Sequence, residues 1–246
     1  MKILEKIKNQ NIFLSVALII ALGFVIGGYF VGDGIYKSRS RRIVTVKGLA
    51  EQNVVADTAV WNLYITRKGA DLIKLQSVID SDIAKVRKFL KSSGFSEDEM
   101  QNQRVEVADR SDSYEVREKK STAIYSIKTG VSVRTGNVNL VDKVSRKMGE
   151  LVRQGINISE GYYGPSYIFS GLNEIKVPMI EQATKNATDA GRQFAKDAGT
   201  RLGKIQNANQ GVFSIETRDP TERWSDEKQS IDKKVRVVST ITFYLE

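Results

Sequence analysis

Between Asn9 and Gly32 the chain runs for 24 residues without a charge. No other feature of the sequence limits the fold so strongly. The core of this stretch, IFLSVALIIALGFVIGGYFV (residues 12–31), is 20 residues long. As a helix rising about 1.5 Å per residue it spans roughly 30 Å, one hydrocarbon thickness of a bilayer. The apolar region of a secretory signal is shorter, about 7–15 residues, and precedes a small-x-small cleavage site. No A-x-A follows here. Residues 1–36 therefore read as an uncleaved signal anchor that crosses the membrane through 12–31. Residues 37–42 read as a basic juxtamembrane linker. Tyr29, Phe30 and Tyr36 fall where interfacial aromatics belong.

The glycines of VIGGYFVGDGIYKSRSRR (25–42) do not make a phosphate loop. A Rossmann fingerprint needs a strand before it and a helix after it, and a P-loop ends in G-K-[ST]. Neither context is present. Gly23-x-x-x-Gly27 and Gly28-x-x-x-Gly32 suit close helix approach in a bilayer, although glycine is common in membrane helices generally.

Charge follows the same segment. The net charge is +9, and Lys2, Lys6, Lys8, Lys37, Arg39, Arg41 and Arg42 against Glu5 and Asp33 supply more than half of it. Basic residues flanking an apolar run mark a membrane boundary. A nucleic-acid partner would need that charge on a folded face instead, so none is expected. Because basic residues stand at both ends, the positive-inside rule does not choose an orientation. A short tail ahead of the first apolar segment, followed by a long domain, favours export of the C-terminal part. The expected location is the cytoplasmic (inner) membrane, single-pass, with residues 43–246 periplasmic or extracellular.

The chain has no cysteine and no histidine. That removes disulfides, thiol nucleophiles, zinc–thiolate sites, the commonest general base and the commonest transition-metal ligand. An enzyme built on this chain would depend on Asp, Glu, Lys, Tyr, Ser or Thr.

After Arg42 the residue pattern changes period. RRIVTVKGLAEQ (41–52) and VVADTAVWNLYIT (54–66) alternate as strands, with Ala59, Trp61, Leu63 and Ile65 on one face. They are expected to pair as a hairpin around Gln52–Asn53. In residues 71–92, Leu72, Leu75, Ile79, Ile83, Val86 and Leu90 step by three or four and predict a helix capped by Asp71 and stopped by Gly94. QRVEVADR (103–110) and STAIYSIKTGVSVR (121–134) read as strands joined by a long polar connection. Residues 139–155 read as one amphipathic helix with Leu140, Val144, Met148 and Leu151 in line, Asn139 as cap and Gly155 as stop. INISEGYYGPSYIFS (156–170) reads as a strand turned or bulged at Gly161–Pro165.

A long alanine-rich helix follows over 175–204, its stripe formed by Ile180, Ala183, Ala187, Ala190, Phe194, Ala198 and Leu202. Strands are expected at 211–217 and 235–246, with a polar, mobile connection between them. The fold class is α+β: an antiparallel sheet with helices mainly on one face, with room for a ferredoxin-like β-α-β-β-α-β unit.

Acidic groups are the only catalytic candidates. Ser96-Glu97-Asp98-Glu99 holds an S-x-x-E capping box and is expected to start a short helix. Asp109, Asp112 and Glu115 are mixed with Arg110, Arg117, Lys119 and Lys120, the composition of a solvated loop. Asp80 and Asp82 stand two apart on a helix and face apart. No pair has a spacing that predicts general acid/base geometry, and no D-x-[DN]-x-[DN]-G calcium loop occurs. Asn157-Ile-Ser159 and Asn186-Ala-Thr188 are weak glycosylation sequons. The tyrosines of Gly161-Tyr162-Tyr163-Gly164-Pro165-Ser166-Tyr167 are expected to be exposed, as a contact surface or as half-buried edge residues. No catalytic, cofactor or metal residue is assigned.

Several of these segments resemble one family. IVTVKGLAEQNVVADTAVWNL, the turn Gly-Phe-Ser-Glu-Asp-Glu-Met (94–100) and STAIYSIKTGVSVR are similar to SIMPL-domain proteins, which include bacterial periplasmic immunogenic and oxidative-stress defence proteins. ATKNATDAGRQFAKDAGTRLGKI and VSTITFYLE continue the likeness, which spans about residues 42–246. Departures are Thr188 and Gly191 within the alanine run, the heavily charged 217–234 segment, and an apolar segment that looks retained rather than cleaved.

The resemblance implies an extracytoplasmic α+β domain that assembles into large rings and serves in envelope or oxidative stress. It supplies no catalytic residue. The expected function is a membrane-anchored, non-enzymatic homo-oligomeric scaffold, with an envelope protein or lipid as a further partner. An envelope-acting enzyme using Asp/Glu chemistry and a peptide- or lipid-binding module built on the Tyr162–Tyr167 turn are the alternatives.

Overall fold

The computed structural model describes residues 20–32, 42–161, 164–219 and 227–246. Residues 20–32 form helix α1, exposed along its whole length. Among the described residues no helix is long and apolar enough to cross a membrane. Residues 12–19 of the expected span lie outside the described residues, as do 37–41 of the linker and 220–226 of the expected mobile connection.

The rest is mixed α+β with two antiparallel sheets where one was expected. The difference begins at a corner. Strand β1 (Ile43–Val55) runs past the expected turn at Gln52–Asn53, and β2 (Thr58–Gly69) lies in the other sheet. Between them the buried Ala56 donates its N–H to the Ile231 carbonyl at 2.8 Å. The Asp57 N–H reaches the Ile168 carbonyl at 3.0 Å, and its carboxylate accepts from the Ser170 N–H at 2.8 Å. The backbone groups of the corner are thus satisfied by other segments, not by a ladder between β1 and β2.

The chain divides into two compact units, and the division falls inside β1, α6 (Leu172–Asp197) and β10 (Asp232–Leu245) and before the last residue of β8 (Leu202–Gln210). The larger unit is Leu49–Ala183 with Gln210–Val238. Its sheet has the order β3-β5-β2-β6. Here β3 is Met100–Asn102, β5 is Tyr125–Thr135 and β6 is Ile158–Ser159. Two short strands extend it: β4 (Glu106–Asp109) pairs with β5, and β7 (Ser166–Ile168) pairs with β2. The polar connection from β4 to β5 holds a single helical turn, α3 (Tyr114–Arg117). Strand β5 is inserted between β2 and β3, while helix α2 (Leu72–Ser92) links β2 to β3 and helices α4 (Val138–Ser145) and α5 (Gly149–Arg153) link β5 to β6. That is the expected β-α-β-β-α-β unit.

The alternation read from the sequence sets this core. Trp61, Leu63 and Ile65 of β2 are fully buried and pack with Val131 and Val133 of β5. Val86, Phe89 and Leu90 of α2 and Val138, Val141 and Val144 of α4 join the same cluster, so both helices cover one face. Asp71 caps α2 as expected, accepting from the Ile73 and Lys74 N–H groups. The second helical segment differs from expectation. Asn137, not Asn139, is the cap that accepts from the Leu140 N–H, and the helix is broken into α4 and α5. Capping at Asn137 turns Val138, Val141 and Val144 inward and leaves Leu140 half-buried. The expected short helix at Ser96 is a turn that leads straight into β3. Half of its capping box forms, with the Ser96 N–H donating to Glu99 at 2.9 Å.

Strand β9 (Ser214–Thr217) pairs with Lys233–Arg236 of β10 in the same unit. A second cluster there joins Ala50, Met179, Ala183, Val235 and Val237. A 3-10 turn at Glu227–Gln229 and β10 from Asp232 replace part of the expected mobile connection.

The smaller unit comprises Met1–Gly48, Thr184–Asn209 and Ser239–Glu246. In it β1, β10 and β8 (Leu202–Gln210) run side by side in that order. Residues 202–204 of β8 were expected as the end of the long helix, which instead stops at Asp197, and 205–210 were assigned no element. Its sequence, LGKIQNANQ, has no apolar alternation to announce a strand. The core is Val44, Ala187, Ile241 and Phe243. The buried stripe of α6 steps strictly by four, through Met179, Ala183, Ala187, Gly191 and Ala195. Ala190, Phe194 and Ala198, expected on that stripe, are exposed. A Cβ on Gly191 would sit 3.2 Å from Leu202 Cδ1 and 3.4 Å from Phe243 Cδ2, so helix and strands meet closely at that glycine.

Candidate functional site

The period-two pattern of β10 continues further back than the expected start at Val235. Lys233, Val235 and Val237 share the buried parity, and Lys233 is only 2% exposed. A lysine is almost never buried without partners. Its Nζ donates to the Glu227 carbonyl in the 3-10 turn. Lys233 also lines a cavity of 360 Å³ in the larger unit, walled by Val60, Tyr167, Ile168, Phe169 and Ile215. The cavity is mostly apolar, and Lys233, Lys228, Glu227 and Ser166 supply the polar part of its wall. Such a lining suits a small amphiphile with a hydrocarbon body and a carbonyl or carboxylate end.

Tyr167 connects this cavity to a second group. Its side chain is buried and belongs to the main core, and burial, followed by the charge of Asp142, pushes its phenol up to about 12. It is therefore a neutral hydroxyl at any physiological pH. Glu160 lies within its electrostatic reach. Burial raises the Glu160 carboxyl above its ordinary range, and the Trp61 indole N–H, donating at 3.2 Å, offsets this only in part. One carboxyl of raised basicity beside a neutral phenol is not an acid/base pair of carboxylates.

The acidic candidates are not brought together. Asp109 accepts from the Ser111 N–H at 2.8 Å, which holds its carboxyl below the usual range, and it is exposed. Glu115 pairs with Arg110 at 3.0 Å on the surface, and Asp112 stands in the adjoining turn. Asp80 and Asp82 do face apart. Asp80 accepts from Gln76 at 2.8 Å, whereas Asp82 is 2% exposed and accepts from Arg67 Nε at 2.7 Å. Arg67 also donates to the Gly155 carbonyl at 2.7 Å, so it fastens α2 and the loop after α5 to β2.

Glu97 is held by Arg87 and Lys91 of α2. Glu99 is held below its usual range, first by the Thr135 hydroxyl and then by the Ser96 N–H. These are structural ties. Among the described residues no group of three or more acidic side chains is placed to hold a metal ion.

Of the tyrosine-rich turn, Tyr162 and Tyr163 lie outside the described residues. Tyr167, expected to be exposed or half-buried at a sheet edge, is in the core, because β7 pairs Ala59 with Tyr167 and so gives both the buried parity of β2. Asn157 is exposed and donates to the Thr66 carbonyl at 3.2 Å; Asn186 is exposed on α6. Sequence reasoning missed Lys233 and Glu160. The parity of β10 was a signal for the first. For Glu160 there was none, since its burial depends on the non-local position of Trp61.

Residues 44–243 match the sequence pattern of the SIMPL family, described as proteins of unknown function (DUF541). No curated protein is similar enough to count as a relative. Two solved structures from Listeria innocua show weak likeness. One, an uncharacterized conserved protein, is 13% identical with a TM-score of 0.19; the other, a hydrolase, is 12% identical with a TM-score of 0.21. Each comparison covers 76% of this chain and 90% of the other. Neither is close enough to bear on activity.

Proposed function

The chain belongs to the SIMPL family, and from that premise we propose a membrane-anchored, non-enzymatic extracytoplasmic protein, a homo-oligomeric scaffold in oxidative or envelope stress defence. The observation that carries the anchor is the exposure of α1. Phe24 is 79% exposed, Val25 and Tyr29 72%, and Phe30 70%, within a helix exposed all round. A helix that is apolar on every side is stable when buried or in lipid. The uncharged sequence continues ahead of it to Asn9. Moving that surface out of water is favourable by about 25 cal/mol per Å².

The reading takes the membrane as the partner of residues 12–31 and assigns no catalytic residue, cofactor, metal or nucleic acid. Absence of histidine and cysteine supports it. Protease added to intact spheroplasts should digest residues 43–246 and leave a short membrane-bound fragment. Full protection of the domain would sink the topology.

A second reading, a lipid-binding module, is favoured by the 360 Å³ cavity and its buried Lys233. A fluorescent fatty acid should then bind the chain and be displaced from Val60→Trp, which fills the cavity. Equal binding to both proteins would remove this reading.

A further inference from the structure

We propose that β8 is a self-pairing edge, along which two copies of the chain join their sheets about a two-fold axis at Ala208. The proposal rests on the homo-oligomeric reading and names the surface it would use.

Strand β8 ends its sheet. The order runs β1-β10-β8, and among the described residues no strand lies beyond it. An edge strand presents a row of N–H and C=O groups that invites another chain. Proteins usually blunt such an edge with charges, proline or bulges. Here β8 is nine residues long, contains no proline and carries one charge, Lys204. Every residue from Lys204 to Gln210 is exposed.

The sequence of the exposed part is symmetric. Residues 206–210 read Gln-Asn-Ala-Asn-Gln, identical in both directions. A two-fold contact is isologous: each residue must be compatible with the residue that the symmetry brings against it. Antiparallel pairing centred on Ala208 sets Gln206 of one copy against Gln210 of the other, Asn207 against Asn209, and Ala208 against itself. Each amide side chain carries both donors and an acceptor, so an Asn or Gln can satisfy another amide. Charged residues set against their own kind would repel. The residue on the axis is the smallest available with a Cβ.

Parity agrees with the pairing. Gln206, Ala208 and Gln210 lie on one face of the strand in both copies, and Asn207 and Asn209 on the other. The exposed, apolar Ile205, 52% accessible, falls opposite Gly211 of the second copy, which carries no side chain. A ladder of five residues per copy is a small interface. Anchors in one bilayer would supply the effective concentration that such a contact needs.

The chain has no cysteine, so an introduced thiol is unique. Directly opposed residues of an antiparallel pair have Cα atoms about 4.5–5.5 Å apart, within disulfide range. Full-length Ala208→Cys in membranes, treated with a mild oxidant, should form a disulfide-linked dimer. Gln206→Cys, whose opposite is residue 210, should form about tenfold less; that ratio corresponds to about 1.4 kcal/mol. Adding Asn207→Lys and Asn209→Lys, which sets like charges opposite one another, should suppress the Ala208 crosslink.

Equal crosslinking at 206 and 208, or none at 208, overturns the inference. An amine-reactive crosslinker separates the two levels. If it still traps a dimer while Ala208→Cys stays unlinked, the contact lies elsewhere and the oligomeric reading stands. If it traps no dimer, both fail.

Discussion

The two units bury their apolar surface by opposite means. In the larger unit big side chains fill the space between layers: Trp61, Leu63 and Ile65 are fully buried, with Phe95 6.4 Å from the Trp61 ring and Leu90 and Val133 around them. In the smaller unit Ala187 and Gly191 let a helix approach the strands, and Val44, Ile241 and Phe243 supply the buried bulk, with Val46, Leu202 and Leu245 partly buried around them. The first arrangement is broken by removing atoms and the second by adding them. Both sheets end in edge strands, the larger unit's at β3 and β6, each only two or three residues long, and the smaller unit's at β8, which is nine residues long.

The largest effect belongs to the larger unit. Trp61→Ala should cost about 3–5 kcal/mol in denaturant unfolding, from lost burial and the cavity left behind. Next is Asp82→Ala. Removing the partner of a buried charge costs about 3–5 kcal/mol, and the lower end applies because Arg67 is 26% exposed and keeps its bond to Gly155. A loss under about 1 kcal/mol, the range of a surface pair, would contradict the account of Asp82 as a fastener.

In the smaller unit the sign of the volume change reverses. Ala187→Leu should destabilise by about 1–3 kcal/mol through overpacking. If it is neutral, helix and strand do not meet as closely as Gly191 indicates, and the contrast between the units weakens.

The smallest effect is a pH dependence. Burial raises the Glu160 carboxyl above its ordinary 4.5, so the folded state holds a proton that the unfolded chain releases. The contribution of Glu160 to stability is therefore full below pH 4.5 and is lost as pH rises from there through the raised value. Glu160→Gln, which can still accept from Trp61, should flatten that part of the stability profile. An unchanged slope between wild type and variant would place Glu160 in solvent.

How much of this was legible depended on the range of the cause. Local periodicity gave β2, α2, β5 and the inward set of Trp61, Leu63 and Ile65, and Asp71 was readable as a cap from its position alone. Strand β8 was not readable, because an exposed edge needs no apolar alternation and its residues also suit a helix end. The β1–β2 corner was misread because Asp57 is satisfied by residues 168 and 170, far along the chain. For the same reason Tyr167 was placed outside or at a sheet edge: its burial follows from pairing with Ala59, which no local pattern encodes. The cavity with Lys233 was half legible, since the parity of β10 points the lysine inward but says nothing of what faces it.

Oligomeric state is the property on which the scaffold and the β8 edge both depend. The most direct test is the mass of the full-length chain in detergent, by size-exclusion chromatography with light scattering. The account predicts a protein mass that is a whole-number multiple of the chain, two or greater, across the concentration range of the column. A single-chain mass at every concentration would contradict it.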